Sequence, residues 1–296
     1  MAMTTATTER RPNVSVIIPH YNDPVRLRLC LSELLRNDIA GAEIIVVDNA
    51  SPVSLDPVRR DFPAVRFLTE AEKGAAAARN TGVRASRGPV LAFIDADCVP
   101  EQDWVATAQR VAMLADLVGG RVAVFDETPP PRSGAEAFEA VFAFDFRSYV
   151  EKKGFSGAGN LVTHRQVFDA VGPFVNGLSE DTEWTMRAVA RGHRLIYADH
   201  LRVSHPSRPD WAALKHKWRR MTEEAYALER AQGLPRIRWV LKALAMPASA
   251  LVHLPKLLFS PRLTGAGERL RGALTLIRLR LLRMVWMLRQ AAGGRI

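Results

Sequence analysis

Four short β-branched or apolar runs, Val14 to Ile18, Ile44 to Val47, Val65 to Leu68 and Val90 to Ile94, recur at helix-sized intervals. Strands that are apolar on both faces must be covered on both faces, so the rhythm predicts βαβ units on a mostly parallel sheet flanked by helices. Between the first two runs, Asp23-Pro24-Val25 supplies an N-cap and a proline for the first turn, followed by Leu27, Leu31, Leu34 and Leu35 at helical spacing. Gly74 to Ser86 is alanine-rich and reads as a helix packed closely on the sheet. A helix over Glu101–Ala115 and a strand over Gly119–Phe125 follow. Asp126 to Gly134, with three consecutive prolines, is either a linker or a flexible lid.

The fourth run ends in Ile94-Asp95-Ala96-Asp97-Cys98. An apolar strand cannot keep charge inside, so both acids should emerge where it leaves the core, the edge at which open α/β sheets bind ligands. In extended chain the two carboxylates point the same way about 6–7 Å apart, a spacing suited to a hard cation and phosphate oxygens. Taken alone, the pattern also fits surface acids that merely end a strand. Gly157-Ala158-Gly159-Asn160 lacks the third glycine and the strand-to-helix setting of a dinucleotide loop.

Charge divides the chain. The net charge of +10 over 296 residues is concentrated from Arg230 onward, where 13 Lys and Arg face the single acid Glu268. The rest is nearly neutral, which argues against nucleic acid as partner and for an anionic membrane surface. Cys30 and Cys98 are too few for a disulfide framework or a zinc site and fit a reducing, cytoplasmic compartment. Residues 1–12 are Thr-rich, without the apolar segment of a secretory signal, and read as a disordered arm. The body then spans 13–229 and a basic helical tail spans 230–296.

Within the tail, Trp239–Phe259 is apolar but interrupted by Lys242, Pro247, Pro255 and Lys256. It falls short of the ~20 apolar residues that a span needs, and reads as a bent interfacial or re-entrant segment. Leu270, Leu274, Ile277, Leu281, Met284 and Leu288 then form one helical stripe flanked by Arg269, Arg271, Arg278, Arg280, Arg283 and Arg289. Two readings stay open: a stripe dipping into lipid while its arginines snorkel to phosphates, or the seam of a homodimer. Trp286, Leu276, Leu279 and Leu282 favour the membrane, on the inner face of which the chain would lie peripherally.

Five blocks carry a resemblance. Val14 through Asn22, Val46 through Ser51, Lys73-Gly74 with Ala78 through Gly82, Asp95-Ala96-Asp97, and Ser179 through Trp184 with Arg187 together resemble family 2 glycosyltransferases of the GT-A fold over Pro12 to about His205. The resemblance implies an inverting, metal-dependent transfer of a sugar from a nucleoside-diphosphate donor, a UDP-sugar above all, to an acceptor hydroxyl on a lipid or glycan of the cell envelope. It assigns Pro19 and Tyr21 to the base pocket and Asp48 to the nucleobase, although Asp48 can equally close an Asx turn. Arg79 would touch nucleotide or diphosphate, or be a solvated helical arginine. Asp95 would face ribose or metal, Asp97 would ligate Mn²⁺ or Mg²⁺, and His205 would complete the metal shell or touch the diphosphate. Asp181, with Glu180 as second choice, would be the general base, or both acids would simply complement a helix dipole. Gly159 and Asn160 would line the donor sugar. Processive synthases of this family carry Gln-x-x-Arg-Trp after the base, whereas this chain has Lys217-Trp218-Arg219-Arg220, which favours single-sugar transfer. A non-catalytic, nucleotide-binding scaffold on the membrane is the alternative.

Overall fold

The computed structural model describes residues 11–296, so most of the expected arm lies outside the described residues. Eight strands are present: β1 (Val14–His20), β2 (Ala42–Asp48), β3 (Arg66–Thr69), β4 (Val90–Ile94), β5 (Val99–Pro100), β6 (Leu117–Phe125), β7 (Asn160–His164) and β8 (Leu195–Pro206). The helices up to β8 are α1 (Pro24–Leu34), α2 (Asp56–Asp61), α3 (Ala75–Ala85), α4 (Trp104–Ala112), α5 (Gly134–Phe142), α6 (Phe146–Lys153), α7 (Arg165–Val171) and α8 (Glu180–Ala190). After β8 come α9 (Trp211–Ala231), α10 (Arg236–Leu244), α11 (Met246–Leu258) and α12 (Gly265–Ala291).

The strands form one sheet in the order β3-β2-β1-β4-β7-β6-β8-β5. β3, β2, β1 and β4 are parallel, as the four apolar runs require, while β7 pairs antiparallel with both β4 and β6. The expected N-cap is made: the Asp23 carboxylate accepts from Arg26 N–H at 3.1 Å and starts α1.

The chain divides into two compact units. The first contains the residues up to Arg121, Phe146–Asn176 and Trp184–Val203. Its core joins Ile17, Leu91, Phe93, Leu161, Phe168, Phe174 and Trp184. Phe93 meets Phe174 edge-on at 5.4 Å, and the fully buried Trp184 stacks on Phe168 at 5.6 Å while its indole N–H donates to Gly172 O at 2.7 Å. Close packing of α3 on the sheet has a definite cause. A Cβ on Gly82 would stand 2.5 Å from Ile17 Cγ2, so only glycine lets the helix approach β1.

The second unit contains Val122–Asp145, Gly177–Glu183 and Ser204–Ile296. Here α5, α9, α11 and α12 share a core of Phe138, Val141, Leu214, Leu257, Leu276 and Leu279, and α10 joins α12 through Trp239, Ala243 and Met287. The 126–134 loop is not a free lid. Arg132 pairs with Asp126 at 2.6 Å, its backbone N–H donates to Glu268 at 3.1 Å, and Arg271 donates to its carbonyl at 2.9 Å. Residues of the tail therefore hold the loop down.

The tail's arginines also depart from expectation. Arg283 is half-buried over the Trp218 ring at 4.5 Å, where desolvation and the neighbouring Arg280 push its pKa down to about 10. Arg278 covers Trp211 at 4.0 Å. Both guanidiniums lie over indole faces of α9 as cation–π pairs, Arg278 at the exposed surface and Arg283 half-buried.

Gly82→Ala should lower the stability of the first unit by about 1–3 kcal/mol, because the branched, buried Ile17 has no room to give. Urea denaturation checks this; an unchanged midpoint would contradict the close approach.

Candidate active site

Parallel strands put their ends at one edge, and the sequence-singled residues of the first unit gather there. His20 and Asp48 are register partners at the ends of β1 and β2. His20 Nε2 accepts from Asp23 N–H at 3.1 Å, which leaves Nδ1 as the donor to Asp48 Oδ1 at 3.0 Å. The tautomer of a fully enclosed imidazole is thus fixed by its two partners. Asp48 also accepts from the Ser51 hydroxyl and from Ser51 N–H at 3.3 Å, so it closes the turn after β2. Pro19 is half-buried and Tyr21 is 55% exposed, an aromatic ring standing in solvent beside this turn.

The neighbouring loop is organised by two asparagines. Asn49 donates to the carbonyls of Glu70 and Glu72 and accepts from Gly74 N–H at 2.7 Å. Asn176, distant in sequence, accepts from Ala77 N–H at 3.4 Å in the first turn of α3. Gly74 has φ +133°, and a Cβ there would lie 2.2 Å from Asn176 Oδ1. On the next turn of α3, Arg79 is 4% exposed and its Nη2 donates to Asp95 Oδ1 at 2.7 Å. Arg79 is therefore a buried, paired arginine and not a solvated one. Asn80 beside it exchanges bonds with Phe174, donating to its carbonyl at 2.9 Å and accepting its N–H at 3.0 Å.

Asp95 and Asp97 leave β4 half-buried, as the end of an apolar strand requires. Cys30 and Cys98 are buried beneath them, and burial together with the charges of Asp97 and Asp95 pushes both thiols upward. Such thiols are inert. Gly159 supplies space: a Cβ there would stand 2.7 Å from Asp95 Oδ2. Asn160 differs from expectation. It is fully buried; its Oδ1 accepts from Trp104 Nε1–H at 3.0 Å and its Nδ2 donates to the carbonyls of Arg121 and Leu201, both at 2.9 Å. With its amide spent on the framework, it ties β7 to its neighbours and does not line a sugar.

No group of three His, Cys, Asp or Glu side chains able to hold a metal is present among the described residues. Two carboxylates at one strand end, one with an oxygen given room by a glycine, still fit a hard cation that draws its remaining oxygens from substrate phosphates and water.

The second unit holds the other expected residues. Glu180 and Asp181 are half-buried in the first turn of α8, with Asp181 Oδ1 accepting from Thr182 N–H at 2.7 Å. Glu224 on α9 escaped the sequence reading. Burial pushes its pKa up to about 7; Arg220, 3.5 Å away, opposes the shift, and the charges of Glu180 and Asp181 add to it. His205 is 6% exposed, with Phe144 against its ring at 4.7 Å. Its Nδ1 donates to Pro206 O at 2.7 Å, which leaves Nε2 as the lone-pair nitrogen, the tautomer of a metal ligand.

The family model described as Glycosyl transferase family 2 matches residues 15–175. The chain belongs to that family. Among curated members, glycosyltransferase AglE of Haloferax volcanii is 34% identical over 227 residues, covering 72% of this chain and 73% of its own. An uncharacterized glycosyltransferase, EpsJ of Bacillus subtilis, is 35% identical over 36% of this chain, and the match spans only 33% of EpsJ. The solved mannosyltransferase PcManGT from Pyrobaculum calidifontis, in complex with GDP-Man and Mn²⁺, shares the fold at TM-score 0.55 and 19% identity, covering 97% of this chain and 77% of its own. This family 2 protein is a glycosyltransferase with the GT-A architecture, and its class of donor is a nucleotide-sugar.

Two outcomes check these placements. Asn160→Ala would leave Trp104 Nε1 and two carbonyls unpaired in the core, so stability should fall by about 2–4 kcal/mol while the donor KM stays within about twofold. A raised KM at unchanged stability would return Asn160 to the donor pocket. Glu224 binds its proton more tightly folded than unfolded, so its contribution is full below the ordinary value of 4.5 and is lost as pH rises toward about 7. Denaturation across that window should show a decline on the order of 3 kcal/mol that Glu224→Gln flattens.

Proposed function

We propose that this glycosyltransferase moves one sugar, with inversion, from a nucleoside-diphosphate sugar to a hydroxyl of a glycan or lipid-linked glycan, aided by a divalent cation. The observation that carries the reading is the Arg79–Asp95–Asp97 arrangement at the end of β4: a buried guanidinium holds one oxygen of Asp95. The second oxygen of Asp95, beside Gly159, and the Asp97 carboxylate at the same strand end are the oxygens that would hold Mg²⁺ or Mn²⁺. When bound, such a cation neutralises charge on the departing diphosphate. Asp48, fixed by His20 and Ser51, accepts from a nucleobase N–H, and Tyr21 offers an exposed ring for stacking. Uracil and guanine both carry the required donor, so UDP- and GDP-sugars are the donors to try, UDP first by family resemblance.

Inversion needs a base on the acceptor side to take the hydroxyl proton during attack. Asp181 fills that role, with Glu180 beside it on the first turn of α8. The family resemblance alone assigns His205 to the metal shell or the diphosphate; its Nδ1 donates to Pro206 O. Absence of the Gln-x-x-Arg-Trp element at Lys217-Trp218-Arg219-Arg220 supports a single addition over polymerisation.

Donor hydrolysis and transfer assays with Mn²⁺ test the assignment. Asp97→Asn should cut metal-dependent turnover at least about 100-fold. Asp181→Asn should cut transfer by about 10²–10⁴-fold while donor affinity holds. Wild-type rates in either variant would overturn the corresponding role, and donor binding without turnover by the unmodified chain would replace the enzyme reading with that of a scaffold.

A further inference from the structure

We propose that the outward faces of α10, α11 and α12 dock this chain on an anionic bilayer, lying along its surface. Each helix buries one side against the second unit and leaves an apolar side uncovered. On α10, Trp239 and Ala243 face inward while Ile237, Leu241 and Leu244 are 60, 60 and 57% exposed, a spacing of four and three that makes one helical face. On α11, Leu257 is enclosed while Leu251, Val252 and Phe259 just beyond its end are 69, 75 and 82% exposed. On α12, Leu276 and Leu279 are enclosed while Leu270, Leu274, Leu281 and Val285 are 45–60% exposed. An uncovered apolar surface of this extent on consecutive, mutually packed helices marks an interaction face.

Charge selects the occupant. Between Arg236 and Arg289 the only acid is Glu268, which is 4% exposed and bonded to the N–H groups of Arg132 and Thr264. The exposed charge of the three helices is therefore cationic alone: Arg236, Arg238, Lys256, Arg278 and Arg289 stand in solvent, with Arg262 in the connection. Apolar side chains ringed by arginine and lysine without acids are complementary to acyl chains beneath anionic headgroups.

A dimer seam along α12 is ruled against by its own packing. Met284 and Leu288, needed to complete three heptads, pack inward with Trp239 and Met287, so the exposed part of the stripe is under two heptads long. No single helix among the described residues is long and apolar enough to cross a membrane; α10 and α11 together reach that length and composition but are bent by 48°. The bend and the flanking cations place them in the interface.

Flotation of the full chain with phosphatidylcholine vesicles, with and without phosphatidylglycerol, tests the proposal. Binding should require phosphatidylglycerol and weaken in high salt. Leu274→Glu with Leu281→Glu should reduce it more than about tenfold at unchanged melting temperature. Arg236→Ser and Arg238→Ser should cost about fivefold each. Three outcomes would overturn it: no binding to either vesicle; binding that resists salt, alkali and all four substitutions, as a true span would; or self-association abolished by the leucine substitutions without vesicle binding. Donor hydrolysis in the same samples reports separately on the glycosyl-transfer reading, which stands or falls without this surface.

Discussion

A cation sealed against the sheet governs the first unit. Arg79 is almost wholly removed from water, and a guanidinium in that position must be paired or the helix carrying it cannot dock. Its partner is Asp95, at the point where β4 runs out of apolar residues. The same contact that satisfies the core therefore orients a carboxylate at the ligand-binding edge. Gly82 permits the close approach of α3 to β1, Gly159 permits the second oxygen its space, and Asn80 secures the Phe174 segment alongside. Fold and chemistry use one set of atoms here, so Asp95 cannot be judged by activity alone: its removal also takes a 2.7 Å carboxylate contact from a buried guanidinium.

The second unit solves a different problem. It encloses Glu139 and pairs it with Lys217 at 2.5 Å, with Arg208 N–H adding a bond at 2.8 Å. Lys217 pays for that enclosure with a pKa lowered to about 8 by burial, against which Glu139 pulls upward. Its ammonium also covers the Phe144 ring at 4.5 Å, and Phe144 in turn meets His205. His205 is thus seated by a chain of aromatic and ionic contacts, while its tautomer is set by the bond from Nδ1 to Pro206 O.

What could be read from residues alone follows the range of the interactions concerned. β1 to β4, α1 and α3 were legible because strand composition, an Asp-Pro start and alanine content act within a few residues. The antiparallel entry of β7 was not, since it depends on pairing Phe93 with Leu161 across a long stretch of chain. Asp48, Arg79, Asp95 and Asp97 were singled out by the family resemblance and lie at the strand ends or on α3, whereas His20, which fixes Asp48, carries no signal of its own beside Pro19 and Tyr21. Asn160 misled because an amide between glycine and leucine looks exposed until its three partners converge on it. Glu224 was invisible for the same reason: its upward shift comes from burial and from Glu180 and Asp181 on another helix, with Arg220 opposing. The leucine stripe of α12 does not stay on one face, since its last third turns inward, and two of its flanking arginines lie over Trp211 and Trp218.

Those indole contacts make the tail inseparable from the body it follows. Phe138 and Trp218 meet at 6.1 Å with Arg283 on the latter's ring, while Leu257, Leu276 and Leu279 complete the surrounding wall. A protease cutting near Arg230 would consequently expose a greasy hollow instead of liberating a working half. The outward faces of α10, α11 and α12 therefore come only with the polypeptide left whole.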